Sequence, residues 1–293
     1  MIKEITILSG KGGTGKTSIT AALASIVRNA VFCDNDVDAA DLHLIFKPVI
    51  KEKFSFSSGS KSLIDTTRCT NCGLCSNYCR FDAIKINSSG FPEVNHYKCE
   101  GCRLCQRVCP AEAITLIESD NNHWFISETR FGPLVHAKMG PGEENSGKLV
   151  TKIRQKAKDI ASETKADFII NDGPPGIGCS AIASVTGSDA VLLVIEPTLS
   201  GLHDAIRLIE LVKSFHIPVF ALINKFDINV KISKKVKIYL SENSIPLLGE
   251  LPFDVNIVNA MIEEKNIVEY APDEKITSML FSAWIKMNSL LIK

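Results

Sequence analysis

Ile5-Thr6-Ile7-Leu8-Ser9-Gly10-Lys11-Gly12-Gly13-Thr14-Gly15-Lys16-Thr17 is the stretch on which the fold of this chain turns. Residues 5–8 are apolar and β-branched, the composition of a buried strand, and residues 18–28 have helical composition. A strand, then G-x4-G-K-T, then a helix is the setting of a phosphate-binding loop. Its glycines let backbone N–H groups close on phosphate oxygens, and the helix N-terminus adds positive potential. Gly12, Gly13, Thr14, Gly15 and Ser18 are expected to complete the cradle. Lys16 should reach the β- and γ-phosphates, and the Thr17 hydroxyl should bind Mg²⁺.

Other strand-like runs end in polar residues. Residues 30–33 lead into Asp34-Asn35-Asp36-Val37-Asp38, and residues 167–172 close on Asp172 before Gly173-Pro174-Pro175-Gly176. Ala190–Ile195 precedes Glu196-Pro197, and residues 219–223 precede Asn224-Lys225-Phe226-Asp227. Helical segments are expected at about 147–165, 201–215, 230–243 and 274–291. Strands alternating with helices predict an α/β fold, a mostly parallel sheet with helices on both faces and a nucleotide at the carboxyl ends of the strands.

Eight of the ten cysteines form two runs, Cys69, Cys72, Cys75, Cys79 and Cys99, Cys102, Cys105, Cys109. Each reads C-x2-C-x2-C-x3-C, the spacing by which a short peptide wraps a cubane iron–sulfur cluster. Disulfides and structural zinc are the competing chemistries. The first lacks a secretion signal, and the second usually employs separated C-x2-C pairs. A shift of thirty positions superimposes the runs, and with them Leu74 on Leu104, Asp82 on Glu112 and Ala83-Ile84 on Ala113-Ile114. Each half is expected to be a cluster loop, a short helical turn and a strand, at 84–86 and 114–117.

The 293 residues are 45% hydrophobic, enough for about two domains, and formal net charge is zero. No global attraction to nucleic acid or acidic lipid follows from that balance. No apolar run approaches the roughly 20 residues that span a bilayer, and residues 1–4 do not read as a signal peptide. A cytoplasmic location is expected, where clustered thiols stay reduced and bind metal.

Lys11 gives the loop the form K-G-G-T-G-K-T, which resembles the deviant loop of the MinD/ParA/nitrogenase-iron-protein class. That resemblance implies that Lys11 reaches the phosphates of a partner subunit across a dimer interface. It also implies that Asp34 supports Mg²⁺ through water, Asp36 orients the attacking water and Asp172 lies by the metal. Gly176 would offer an N–H to the γ-phosphate, Asn224 would read adenine, and Leu251-Pro252-Phe253-Asp254, with Pro252, would cover the base. N-K-x-D is also a guanine-reading pattern, so Asp227 leaves a choice in which the deviant loop favours ATP. Lys11, Lys16 and Asp36 are the expected catalytic set.

Residues 63–118 resemble bacterial two-cluster ferredoxins, in which the fourth cysteine of each run serves the other half's cluster. The implied sets are Cys69, Cys72, Cys75 and Cys109 for one 4Fe–4S cluster, and Cys99, Cys102, Cys105 and Cys79 for the other. Arg80 departs from the pattern, which has proline after the fourth cysteine. Over its length the chain resembles MinD-family P-loop ATPases with an inserted ferredoxin domain: 1–62 and 119–293 for the ATPase, 63–118 for the insert. The implied activity is slow, partner-stimulated ATP hydrolysis by a homodimer joined through its nucleotide face. Coupled to the clusters, it would serve iron–sulfur assembly or carriage, or ATP-gated electron transfer to an iron–sulfur or redox acceptor protein. A positioning ATPase with structural clusters is the alternative. Neither nucleic acid nor a membrane is expected as a partner.

Several residues are given structural readings. Cys33 is expected in the core, Cys179 in helix packing after the switch loop, and His203 at a helix start. Asp38 and Asp41 read as capping or surface acids. Glu143-Glu144-Asn145-Ser146-Gly147-Lys148-Leu149 lacks the strand and glycines of a second phosphate loop. The stripe Ile276, Met279, Leu280, Ala283, Trp284, Met287, Leu290, Leu291 reads as a closing helix on the sheet.

Overall fold

A computed structural model describes residues 2–57, 59–118, 121–140 and 147–291. The chain forms two compact units: Met1–Lys53, Phe125–Ala137 and Gly147–Lys293 in the larger, and Phe54–Trp124 with Lys138–Ser146 in the smaller. The sequence-based insert, 63–118, lies inside the smaller unit.

Among the described residues one sheet has nine strands. From edge to edge they are Leu247–Leu251, Val219–Asn224, Ala190–Ile195, Lys3–Ser9, Phe168–Pro175, Ala30–Asp34, Gly132–Lys138, Asn122–Thr129 and Val49–Phe56. The first seven pair in parallel. Parallel strands are covered on both faces, so they read as continuous apolar runs. Ala190, Leu192 and Val194 enter one core layer, with Ile19, Leu23 and Trp284. Val191, Leu193 and Ile195 enter the other, with Leu208, Val212 and Val236. Period-two side-chain alternation thus divides one strand between two helical layers.

The long helices are Lys16–Ile26, Lys148–Thr164, Leu199–Ser214, Val230–Glu242 and Lys275–Leu291. The last uses its apolar stripe in the core: Ile276, Leu280, Ala283, Trp284 and Met287 are buried, and Trp284 meets Phe168 edge-on at 5.1 Å. Among the described residues no helix is long and apolar enough to cross a membrane. Residues 143–146 lie outside the described residues, while Gly147 occupies the N-cap position of Lys148–Thr164.

In the smaller unit the two cysteine halves are interlaced. Ser60–Ile64, ahead of the first run, pairs antiparallel with Ile114–Glu118, after the second. Ile84–Ile86, after the first run, pairs with Pro92–Val94, ahead of the second. The same bridge recurs in both halves, Asp65 N to Ala113 O at 2.8 Å and Asn95 N to Ala83 O at 2.7 Å. Gly101, at φ +61°, packs so closely on the Ser60 carbonyl that a β-carbon there would collide with it. Among the described residues a small apolar cluster joins Cys75, Ile84, Cys105 and Ile114, flanked by Ile64, Cys79, Val94 and Cys109. Half of these side chains are thiols.

Candidate nucleotide and cluster sites

The loop after Lys3–Ser9 opens a cleft of about 410 Å³ at the carboxyl edge of the sheet. Gly12, Gly13, Thr14, Gly15, Lys16, Thr17 and Ser18 line it, facing Asp36, Asn224 and Pro252. Gly15 has φ +90° and lies against the Asn224 amide nitrogen, so a β-carbon there would strain the backbone and strike Asn224. Phe253, Ile257, Val258 and Met261 supply an apolar wall on the side of Pro252, suited to the face of a base.

Lys16 is 6% exposed in its side chain and lies 3.0 Å from Asp172 and 3.5 Å from Asp36. Burial works to lower its pKa, but Asp172, Asp36 and Asp34 together raise it above the ordinary value. Asp172 receives Thr17 Oγ1 and Thr20 Oγ1, each at 2.7 Å. The carboxylate of Asp34 accepts the N–H groups of Asp36 and Leu42, both at 3.2 Å. Burial, then the charge of Asp172, pushes Asp34 well above the carboxylate range. Burial likewise raises Asp36 to about 6, Lys16 pulling down and Asp172 pushing up. Three carboxylates therefore face one lysine, an excess of buried negative charge that a divalent cation beside Thr17 would neutralise.

Lys11, expected to reach across to a partner, is held within its own chain: its Nζ donates to Glu196 Oε1 at 2.8 Å. Lys225 Nζ donates to Glu196 Oε2 and to the Gly13 carbonyl, both at 2.9 Å. Burial works to raise the Glu196 carboxyl, yet the two lysines hold it below the usual range. Asn224 Nδ2 donates to Thr14 O at 2.7 Å, and its buried Oδ1 has no hydrogen-bond partner among the described residues. Asp227, the acid of N-K-x-D, accepts the Phe253 N–H at 2.7 Å and does not line the cleft. Gly176 donates its N–H to the Ser9 carbonyl at 3.0 Å. Presenting that N–H to a γ-phosphate thus requires the loop after Pro174 to move.

The eight clustered thiols surround two separate cavities. One is lined by Cys69, Cys72, Cys75 and Cys109, the other by Cys79, Cys99, Cys102 and Cys105. Interlacing of the halves is the cause, since each fourth cysteine leads into the strand that pairs with the opposite half. Ala83 N donates to Cys79 Sγ at 3.4 Å and Ala113 N to Cys109 Sγ at 3.3 Å. Among the described residues, no three His, Cys, Asp or Glu side chains are arranged to hold a single metal ion. Four soft thiol donors around one small cavity, with backbone N–H groups aimed at sulfur, fit a 4Fe–4S cubane.

Thr20, Glu196 and Lys225 were not foreseen as site residues. Glu196 had a signal, an acid at the carboxyl end of a wholly buried strand, where α/β sheets gather ligands. Cys33 is fully buried and donates to Asn35 Oδ1 at 3.1 Å, and burial pushes its thiol well up. Cys179 is exposed at the start of Cys179–Val185. His203 is the fifth residue of Leu199–Ser214, just past its first turn, and lies 3.2 Å from Asp204. Asp41 takes the N-cap position of Leu42–Phe46 without a side-chain cap bond.

Residues 62–116 match a family model described as a 4Fe–4S dicluster domain. Residues 145–287 match one described as the NUBPL iron-transfer P-loop NTPase, of the ParA group. An uncharacterized protein of Methanocaldococcus jannaschii is 37% identical over 256 residues, 86% of this chain and 87% of its own. Among solved structures, the septum site-determining protein MinD of Pyrococcus horikoshii, complexed with Mg-ADP, superimposes with a TM-score of 0.62 at 18% identity, covering 99% of this chain and 97% of that one. The cell division ATPase MinD of Pyrococcus furiosus gives 0.61 at 20% identity, covering 99% and 100%.

Proposed function

Because this chain belongs to the P-loop NTPases of the MinD/ParA type that carry a 4Fe–4S dicluster domain, we propose that it is a homodimeric ATP-driven switch gating electron transfer through two 4Fe–4S clusters to a redox acceptor protein. The observation that carries this reading is the sorting of eight thiols into two separate sets of four in a chain that also has a phosphate loop with surplus buried carboxylates. Clusters bound there supply one-electron chemistry. Four thiols per set hold such a group as a resident, which favours passing electrons over passing iron.

At the loop, Lys16 and the backbone of 12–17 bind the phosphates, and Thr17 with Asp172 and Asp34 positions Mg²⁺. Asp36, unprotonated above about pH 6, orients the attacking water. Little covalent work is required of the protein, because phosphoryl transfer depends mainly on position and charge neutralisation. The free Asn224 Oδ1 can accept from the exocyclic amine of adenine. Guanine presents an oxygen there, and Asp227 is already engaged by Phe253, so ATP is the favoured triphosphate. Lys11 leaves Glu196 to reach the partner's phosphates when two nucleotide faces meet.

Cluster carriage is the second reading, supported by the iron-transfer description of the matching NTPase family. Anaerobically reconstituted protein separates the two. A shift of cluster potential on adding MgATP, with iron retained, is expected. Release of iron to an apo-acceptor, abolished by Lys16→Ala, would replace electron transfer with carriage.

A further inference from the structure

The thirty-residue repeat is not symmetric where it touches the second thiol set. Ser62, on Ser60–Ile64, is 1% exposed. Its hydroxyl lies 3.1 Å from Cys105 Sγ and 3.8 Å from Cys99 Sγ, and its N–H donates to Cys99 Sγ at 3.5 Å. Thirty positions on, the equivalent residue is Pro92, which lines the cavity of Cys69, Cys72, Cys75 and Cys109. Proline has neither an N–H nor a hydroxyl to give.

Backbone donors serve both sets, and the first has one more, the Ser76 N–H on Cys75. Around the first set, Asn71 N reaches Cys69 Sγ at 3.4 Å and Ala113 N reaches Cys109 Sγ. Around the second, Ser62 N and Ala83 N do the same work for Cys99 and Cys79. The Ser62 hydroxyl therefore gives the second set a side-chain donor that Pro92 denies the first. Once the cysteines are ligated thiolates, only the hydroxyl side of that contact has a proton to donate. Reduction adds negative charge to the sulfurs, so such a donor strengthens on reduction and raises the potential. Two further differences act in the same direction. Lys61 Nζ donates to the Cys99 carbonyl at 3.0 Å where Phe91 is the repeat equivalent, and Arg80 follows Cys79 where Pro110 follows Cys109. The exposed Glu100 and Arg103 on the rim of the second cavity are opposite in sign.

We propose that Ser62 makes the two cluster sites unequal, so that the set Cys79, Cys99, Cys102, Cys105 holds the higher-potential cluster and electrons run to it from the set Cys69, Cys72, Cys75, Cys109. In that step a reduced cluster in the first set goes from the 1+ to the 2+ state and one in the second set goes from 2+ to 1+. A low-potential one-electron donor outside the protein supplies the electron. The inference rests on the reading that both thiol sets hold 4Fe–4S clusters.

Potentiometric titration of the reconstituted full chain, followed by electron paramagnetic resonance, tests it. The native protein should show two reduction waves. Ser62→Ala should lower the upper wave by about tenfold in its reduction equilibrium, about 59 mV for a one-electron couple, and leave the lower wave in place. Ser62→Thr, which keeps the hydroxyl, should keep the native upper wave, and Pro92→Ser should narrow the gap from below. A single native wave, or a Ser62→Ala effect confined to the lower wave, overturns the inference while leaving the clusters in place. Should Ser62→Ala not fold, one native wave, or a Ser62→Thr upper wave displaced as far as tenfold, still overturns it. Failure of the native chain to take up iron overturns the inference and the proposed function together.

Discussion

Around Lys16 the larger unit holds charged groups inside an extensive apolar frame, with Ile5, Ile7, Leu192 and Leu222 wholly or nearly buried close by in the sheet. In the smaller unit the apolar cluster among the described residues is Cys75, Ile84, Cys105 and Ile114, two of them cysteines, with two more cysteines among the side chains packed on it. Ligand binding therefore means different things in the two. The sheet can tolerate electrostatic strain at its edge because its stability is drawn from elsewhere. On the proposed reading the cysteine unit has ligands where a core would stand, which would make ligation and folding one process.

The sharpest way to break this contrast is to remove iron. Chelation of the full chain should release amide protection across 59–118 while the strands of 3–9 and 190–195 stay protected, as read by hydrogen exchange; equal loss in both units would contradict it. Next in size, Lys16→Ala should lower ATP hydrolysis by roughly 10²–10³ with iron content unchanged, since the lysine belongs to the charged edge and not to the frame.

A third effect is thermodynamic. Asp36 has its folded-state pKa raised to about 6, so the folded protein without nucleotide binds that proton more tightly than the unfolded chain does. The ionised carboxylate is thus unfavourable to folding at neutral pH, and the penalty fades as pH falls from about 6 toward the unfolded value near 4. Asp36→Asn should raise the melting temperature of Mg²⁺-free protein by a few degrees at pH 7 and by progressively less toward pH 4. A difference independent of pH would remove Asp36 as its cause. The smallest effect expected is that of Glu196→Gln. Loss of its partly buried ion pairs to Lys11 and Lys225 should change stability by about 1 kcal/mol or less, while freeing Lys11 should raise the concentration dependence of hydrolysis. Unaltered dimerisation would show that the Glu196 contact does not restrain Lys11.

Much of this was legible in the sequence where a residue's chemistry and its neighbours agree. Strands 190–195 and 84–86 are found where expected because apolar runs bounded by turn residues leave little choice. Val49–Phe56 was not anticipated. It alternates lysine, glutamate and lysine along an exposed sheet edge, where pairing and not burial makes the strand. Ser60–Ile64 and Pro92–Val94 were missed because each is short and strand-like only in the company of its partner half. The loop residues 12–18 and the acids Asp34, Asp36 and Asp172 could be assembled from motif spacing. The pairing of Lys11 with Glu196 could not, since 185 residues separate them and only the sheet order brings their strands side by side.

The exchange of strands between the two halves of the cysteine unit sets a timetable for biosynthesis. Ser60–Ile64 cannot find its partner until Ile114–Glu118 has been made, and the set begun by Cys69 is one thiol short until Cys109 exists. For some forty residues of synthesis the nascent polypeptide therefore carries open, oxidisable sulfur. On the two-cluster reading neither centre could be sealed before Cys105 and Cys109 have been made, so maturation would wait for translation to pass this region.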